Sequence, residues 1–249
     1  MSAPTRPAWP YPNVFAHRGG GTLAPENTLA AFDVAARHRH AAAEFDVKLS
    51  ADDVPFLLHD DTVDRTSNGH GAAAVLTYAE LAGLDAGSWF GPDFSGERMP
   101  TLGAVADRCA LLQFAANIEI KPSAGRERQT GRVVAAQART LWAGARAPLL
   151  SSFSFDALAA AQEVAPELPR GLLFSEIPPD WRERTAQLGC FSLHVNHRAL
   201  DAKLARHIHA AGLFILVYTV NDPARVRQLR DWGVNAICTD RIDHIAPTH

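Results

Sequence analysis

Eight short apolar runs alternate with amphipathic helical stretches along almost the whole chain, and that alternation leaves few folds open. The runs cover residues 14–17, 43–46, 115–121, 149–153, 171–174, 191–195, 214–220 and 236–239. Helical patterns fill 28–39, 132–142, 155–164, 181–188, 201–211 and 223–231. Parallel strands need a crossover between them, so strands spaced by helices predict a parallel sheet. Eight such units predict closure into a (β/α)8 TIM barrel, an α/β fold whose usual length matches the 249 residues here. No internal repeat or low-complexity linker breaks the series, so 1–249 reads as a single barrel domain.

Several boundaries are legible. Ser154 is placed to N-cap the helix that follows it, and Asp222-Pro223 opens the last helical run. Gly189, Gly212 and Gly233 follow helical runs as stops. One segment is in excess: about 60–100, rich in Gly, Asp, Ser and aromatics, is too long for an ordinary connection. It predicts a small cap inserted after the second strand, above the barrel mouth.

Charged residues gather where the apolar runs end. His17 and Arg18 follow Val14-Phe15-Ala16, Glu44 and Asp46 flank Phe45, and Glu119 and Lys121 flank Ile120. Strand side chains alternate in direction, so Glu44 and Asp46 share one face, and Glu119 and Lys121 share another. Barrel enzymes place their chemistry at the carboxyl ends of the strands. Three carboxylates brought to one point repel each other unless a cation lies among them. With oxygen ligands only, and no Cys-x-x-Cys or His-Glu-x-x-His pattern, the set predicts Mg2+ or Ca2+, with Mn2+ also fitting, over structural zinc.

His59 requires a hairpin. Twelve residues separate it from Asp46, too few for a helical crossover. Residues 48–55 therefore read as a hairpin that turns at Ala51-Asp52-Asp53-Val54 and sets His59 opposite Asp46. Two histidines, three carboxylates and two cations describe a metal-assisted phosphodiester site. Arg18 and Lys121 would hold phosphate oxygens, one histidine would take a proton from the nucleophile, and the other would deliver one to the departing alcohol.

The residues that carry this chemistry also carry a resemblance. His17-Arg18-Gly19-Gly20-Gly21, Ala24-Pro25-Glu26-Asn27-Thr28, Glu44-Phe45-Asp46-Val47, Leu57-Leu58-His59-Asp60-Asp61, Arg65-Thr66-Ser67-Asn68-Gly69 and Asn117-Ile118-Glu119-Ile120-Lys121 resemble the glycerophosphodiester phosphodiesterases. Leu150-Ser151-Ser152-Phe153, Val217-Tyr218-Thr219-Val220-Asn221 and Ile237-Cys238-Thr239-Asp240 match as well, so the likeness runs from about 13 to about 243. In detail it is most similar to the cytosolic bacterial members linked to glycerol-3-phosphate uptake.

The resemblance implies hydrolysis of glycerophosphodiesters such as glycerophosphocholine or glycerophosphoethanolamine to sn-glycerol 3-phosphate and an alcohol, by direct attack or through a cyclic phosphate. It implies Glu44, Asp46 and Glu119 as metal ligands, His17 as base and His59 as acid, an order that the residues alone leave open. Phe153 and Tyr218 would form an apolar wall for the alcohol, with Tyr218 where the family commonly has Trp. Asn27 reads equally as a helix N-cap or a site residue. Arg65-Thr66-Ser67-Asn68-Gly69 reads as a turn that helps to order the cap.

Other residues carry less. His194 and His197 are three apart without a carboxylate beside them and read as structural, while the cluster Arg37-His38-Arg39-His40 reads as a solvated helix end. A formal charge of -3 gives no polyanion footprint, which argues against a nucleic-acid partner. No stretch approaches the ~18 apolar residues of a spanning helix, and the proline-rich start, read as an extended lead-in, lacks an apolar secretory core. A cytoplasmic protein with a small-molecule substrate and no membrane partner is expected. Three widely spaced cysteines read as reduced and mostly buried. Two other classes compete: a barrel phospholipase-type lyase that releases a cyclic phosphate, and a non-catalytic barrel that only binds a phosphorylated ligand.

Overall fold

The computed structural model describes residues 8–247, and the proline-rich lead-in predicted from 1–10 falls mostly outside them. The order is β1 (Val14–Ala16), α1 (Leu29–Arg37), β2 (Ala42–Leu49), β3 (Pro55–Leu57), α2 (Tyr78–Gly83), α3 (Leu102–Leu112), β4 (Ala115–Ile120), α4 (Glu127–Leu141) and β5 (Leu149–Ser152). It continues with α5 (Phe155–Val164), β6 (Arg170–Phe174), α6 (Trp181–Gln187), β7 (Ser192–Asn196), α7 (Ala202–Ala210), β8 (Phe214–Tyr218), α8 (Pro223–Asp231) and β9 (Ala236–Thr239). All strands except β3 pair in parallel, and the ring closes where β1 meets β9 through Phe15 and Cys238 and meets β2 through Ala16 and Ala43. This is the predicted (β/α)8 barrel.

Period-two alternation divides the core. Phe15, Ala42, Ala115, Leu149, Leu216, Ala236 and Cys238 point inward and, with Tyr11, fill the lower barrel. Their neighbours Val14, Ala16, Ala43, Phe45, Ala116 and Ile118 point outward and pack beneath the helices. Continuing the inward rows upward reaches His17, then Glu44, Asp46 and Lys48, then Asn117, Glu119 and Lys121. The apolar floor thus fixes which side chains meet at the top.

The predicted boundaries largely match. Ser154 accepts from the Ala157 amide and Asp222 from the Ala224 amide, as N-caps. Gly189, Gly212 and Gly233 all take positive φ at helix ends. The sequence reading missed α3, which Thr101 caps and which buries Leu102, Val105, Ala106 and Cys109. The β2–β3 hairpin forms, but its register differs by one residue. Val47 faces Leu57 and the Leu58 amide bonds to the Asp46 carbonyl, so Leu58, not His59, stands opposite Asp46. The turn centres on Asp52, and Asp53 takes a left-handed φ of 62°, which tightens it relative to a turn centred between the two aspartates.

Between β3 and α3, residues 60–100 leave the barrel and gather around a separate apolar cluster, in which Val63, Ala73, Leu81, Ala86 and Met99 pack on Phe56 and Leu58. The cysteines are free, with Cys109 and Cys238 buried. Among the described residues no helix is long and apolar enough to cross a membrane.

Candidate active site

Ligand oxygens of Glu44, Asp46 and Glu119 all lie within 4.8 Å of one another, and the three residues are buried. Strand register produces this: β2 and β4 run side by side, with Asp46 directly across from Glu119. Burial and its acidic neighbours push Glu119 up to about 8, and burial with the Asp46 charge raises Glu44 as well. Asp46 goes the other way. Burial alone would raise it, but Lys121, His59 and Arg18 hold it at about 2. These three gathered, buried oxygen donors fit a hard divalent ion.

Lys121 and Arg18 flank the carboxylates from opposite sides. Lys121 Nζ lies 2.9 Å from Glu119 Oε1 and 3.2 Å from Asp46 Oδ1. Arg18 Nε stands 3.7 Å from Asp46 Oδ2, and its backbone amide donates to Glu44 Oε2 at 3.1 Å. Arg18 and Asn27 both take left-handed φ, near 50° and 58°, uncommon for side-chain-bearing residues and frequent at functional loops. Asn27 is not the helix cap; Thr28 is. Asn27 instead grips Asp46 twice: its Nδ2 donates to Oδ2 at 2.9 Å, and its Oδ1 accepts from the Asp46 amide at 3.1 Å.

Each predicted histidine has a carboxylate on Nδ1. For His17 it is Asp240, 2.5 Å away. For His59 it is Asp60, at 2.7 Å. A carboxylate there fixes Nδ1 as the protonated nitrogen, so Nε2 is the one left for proton traffic. His17 Nε2 stands 3.8 Å from Glu44 Oε2. Burial lowers the affinity of His17 for a proton, but the bond to Asp240 and the charges of Glu44 and Asp240 outweigh it and the net shift is upward. His59 is shifted downward, mainly by burial, with Asp46 and Asp60 opposing.

Phe153 and Tyr218 meet edge to face at 5.9 Å, and Lys121 Nζ sits 6.0 Å from the Phe153 ring centre. The Tyr218 hydroxyl donates to the Phe174 carbonyl at 2.9 Å, which fixes the direction of the ring. A cavity of about 490 Å3 opens beside His17 and Arg18, bounded also by Glu26, Arg65, Trp89 and Asp240. Another, of about 340 Å3, lies at the opposite end of the barrel around Cys109, Phe114 and Trp142, away from the charged cluster.

The sequence reading missed several participants. Asp240 and Asn221 sit in stretches already noted for their resemblance, at the ends of the last two strands, where barrel chemistry is expected. Glu26, Asp60 and Arg65 form a network described below. Lys48 continues the Glu44 and Asp46 row and, buried, pairs with Asp61 at 2.7 Å. His194 is buried and bonded to Ser192 Oγ, at 2.9 Å, consistent with a structural role. His40 differs from expectation: it is buried and contacts the Ile242 carbonyl at 3.1 Å, so it belongs to the packing and not to a solvated helix end.

The chain as a whole is similar to known proteins. The Glycerophosphoryl diester phosphodiesterase family matches residues 17–244. YhdW of Bacillus subtilis is 36% identical over 241 residues, covering 93% of this chain and 96% of its own. A glycerophosphodiester phosphodiesterase of Caldanaerobacter subterraneus is 32% identical, over 91% and 93%. Among solved structures, an Oleispira antarctica phosphodiesterase in complex with the product sn-glycerol-3-phosphate superimposes with a TM-score of 0.89 at 36% identity, covering 92% of this chain and 93% of that one. The Agrobacterium tumefaciens glycerophosphodiester phosphodiesterase gives 0.76 at 30% identity, over 93% and 97%. The chain belongs to the glycerophosphoryl diester phosphodiesterase family, whose members are hydrolases.

Proposed function

We propose that this hydrolase cleaves glycerophosphodiesters such as glycerophosphocholine or glycerophosphoethanolamine to sn-glycerol 3-phosphate and the free alcohol, with Glu44, Asp46 and Glu119 holding Mg2+ or Ca2+, or Mn2+ in their place. The observation that carries the reading is the buried carboxylate triad flanked by two cations and two carboxylate-oriented histidines. When bound, a divalent ion supplies positive charge for the phosphoryl oxygens and acidifies a hydroxyl beside it. Arg18 and Lys121 bind phosphate oxygens, the first by its planar fork and the second as a point charge. His17 Nε2 takes the proton of the attacking water, or of the glycerol 2-hydroxyl whose cyclic phosphate water then opens, and His59 Nε2 returns one to the departing alcohol oxygen. Neutralising Glu44 removes one of the influences that hold a proton on His17, which suits a base. The rings of Phe153 and Tyr218 wall the organic part of the substrate.

The likeness to a structure with bound sn-glycerol-3-phosphate supports this product. The test is turnover of glycerophosphocholine, glycerophosphoethanolamine and a diacyl phospholipid, analysed for linear and cyclic products, with and without exhaustive chelation. Release of sn-glycerol 3-phosphate that stops on chelation and returns with Mg2+ or Ca2+ is expected. Full turnover by demetallated protein would sink the metal assignment, and cleavage of the diacyl lipid alone would sink the substrate assignment. A cytoplasmic setting alongside glycerol-3-phosphate uptake belongs to the same proposal and is tested by cell fractionation: enzyme recovered with secreted or membrane material would overturn it.

A further inference from the structure

Arg65 uses both edges of its guanidinium. Nε and Nη2 donate to Asp60 Oδ2 at 2.6 Å and Oδ1 at 3.0 Å. Nη1 and Nη2 donate to Glu26 Oε2 and Oε1, each at 2.8 Å. Each carboxylate has a second duty: Asp60 Oδ1 holds His59 Nδ1, and Glu26 Oε1 accepts from Arg18 Nη1 at 2.7 Å. One planar group from the 60–100 segment therefore ties His59 to the loop that follows β1.

His59 needs such a tie more than His17 does. The His17 amide is bonded into the barrel, to the Thr239 carbonyl at 3.0 Å. β3 ends at Leu57, and the last backbone bond joining this arm to β2 is made by Leu58, so His59 lies beyond the ladder in a bend, between that bond and the side-chain pair of Lys48 with Asp61. Its ring direction rests on side-chain contacts, and Asp60 is half of a two-residue pair that could swing together. Two bidentate contacts in one plane remove that freedom. The Arg65 side chain is 45% exposed, and an exposed ion pair adds little to stability, so what these contacts chiefly determine is orientation.

We propose that Arg65 is the positioning residue for His59, acting through Asp60 and anchored to the barrel by Glu26. The inference rests on the reading of His59 as the proton donor. Lysine cannot replace it, since an ammonium lacks the second edge.

The experiment compares Arg65→Ala, Arg65→Lys and Asp60→Asn in the wild-type and His59→Ala backgrounds, with glycerophosphocholine and with a 4-nitrophenyl diester. Each single variant should lose on the order of 10-fold in kcat on glycerophosphocholine, with KM changed by less than about threefold. The loss should shrink on the nitrophenyl diester, whose leaving group needs no proton. Added to His59→Ala, Arg65→Ala should change the rate by less than about twofold, because its route of action is gone. Equal losses in the two backgrounds, or a change confined to KM, would overturn the proposal. Should Arg65→Ala lose the folded 60–100 segment, judged by circular dichroism and proteolysis, Asp60→Asn, which keeps Arg65 in place, decides by the same pattern. A His59→Ala enzyme with full rate would instead refute the role of His59, a failure visible without any change at Arg65.

Discussion

Asp240 reaches His17 across the seam where the barrel closes: Oδ1 lies 2.5 Å from Nδ1, although the two are 223 positions apart in the chain. Asn221 keeps Asp240 in place, donating from Nδ2 to Oδ2 at 2.9 Å and accepting from the Asp240 amide at 2.9 Å. Asp240→Asn keeps the shape but lets the amide turn its NH2 toward the ring and favour the wrong tautomer. Turnover of glycerophosphocholine should fall roughly 10- to 100-fold, and Asn221→Ala should cost less. A kcat within about twofold of wild type for Asp240→Asn would mean that the contact is incidental to catalysis.

The two histidines should separate by leaving group. His17→Ala and His59→Ala should each lower kcat on glycerophosphocholine by about 10²-fold or more, with smaller effects on binding. A 4-nitrophenyl diester should partly rescue His59→Ala and leave His17→Ala impaired. Rescue of the His17 variant alone would reverse the two roles.

Gly171 lies against the His194 ring, and a Cβ at that position would stand 2.3 Å from Nε2. The ring is fully buried in the barrel. Gly171→Ala should therefore destabilise by about 1–3 kcal/mol, read as a lower urea midpoint at unchanged slope. An unshifted midpoint would show that the barrel relaxes around the methyl group.

Burial without a charged partner pushes His194 down to about 3. Its unfolded value is the ordinary one, about 6.5. The unfolded chain therefore binds the extra proton first, and the stability that neutral His194 contributes is present above about pH 6.5 and drains away as pH falls toward 3, at up to about 1.4 kcal/mol per pH unit. Between about pH 6.5 and 5, above the range of ordinary carboxylates, urea midpoints of wild type should fall more steeply than those of His194→Gln. Parallel slopes would place His194 in contact with water.

The fold was legible because barrel strands and helices advertise themselves locally: apolar runs of four to seven residues, helical periodicity, and stops such as Gly189 and Gly233. The acidic triad was legible for a related reason, since Glu44 with Asp46, and Glu119 with Lys121, follow the two-residue strand repeat. What escaped depends on pairing between distant segments. Neither Asp240 against His17 nor Arg65 against Glu26 leaves a trace in local spacing, and Asn27 was ambiguous because Thr28 beside it is an equally good cap. The hairpin register escaped by one residue because the left-handed Asp53 decides where the turn centres, and an Asp-Asp pair does not announce which member takes that conformation.

The strand that carries Glu44 and Asp46 has partner strands on both of its sides. β4 lines one side of β2 from Ala42 to Val47, while on the other side β1 pairs at Ala43 and the antiparallel β3 takes over from Val47 to Leu49. In mechanical terms β2 is a beam clamped along both sides, and the repulsion among the acidic groups is a load it cannot shed by bending outward. An unclamped strand would splay and let that repulsion relax. Here the ligands stay gathered, so a cation entering the triad spends no affinity on drawing them together.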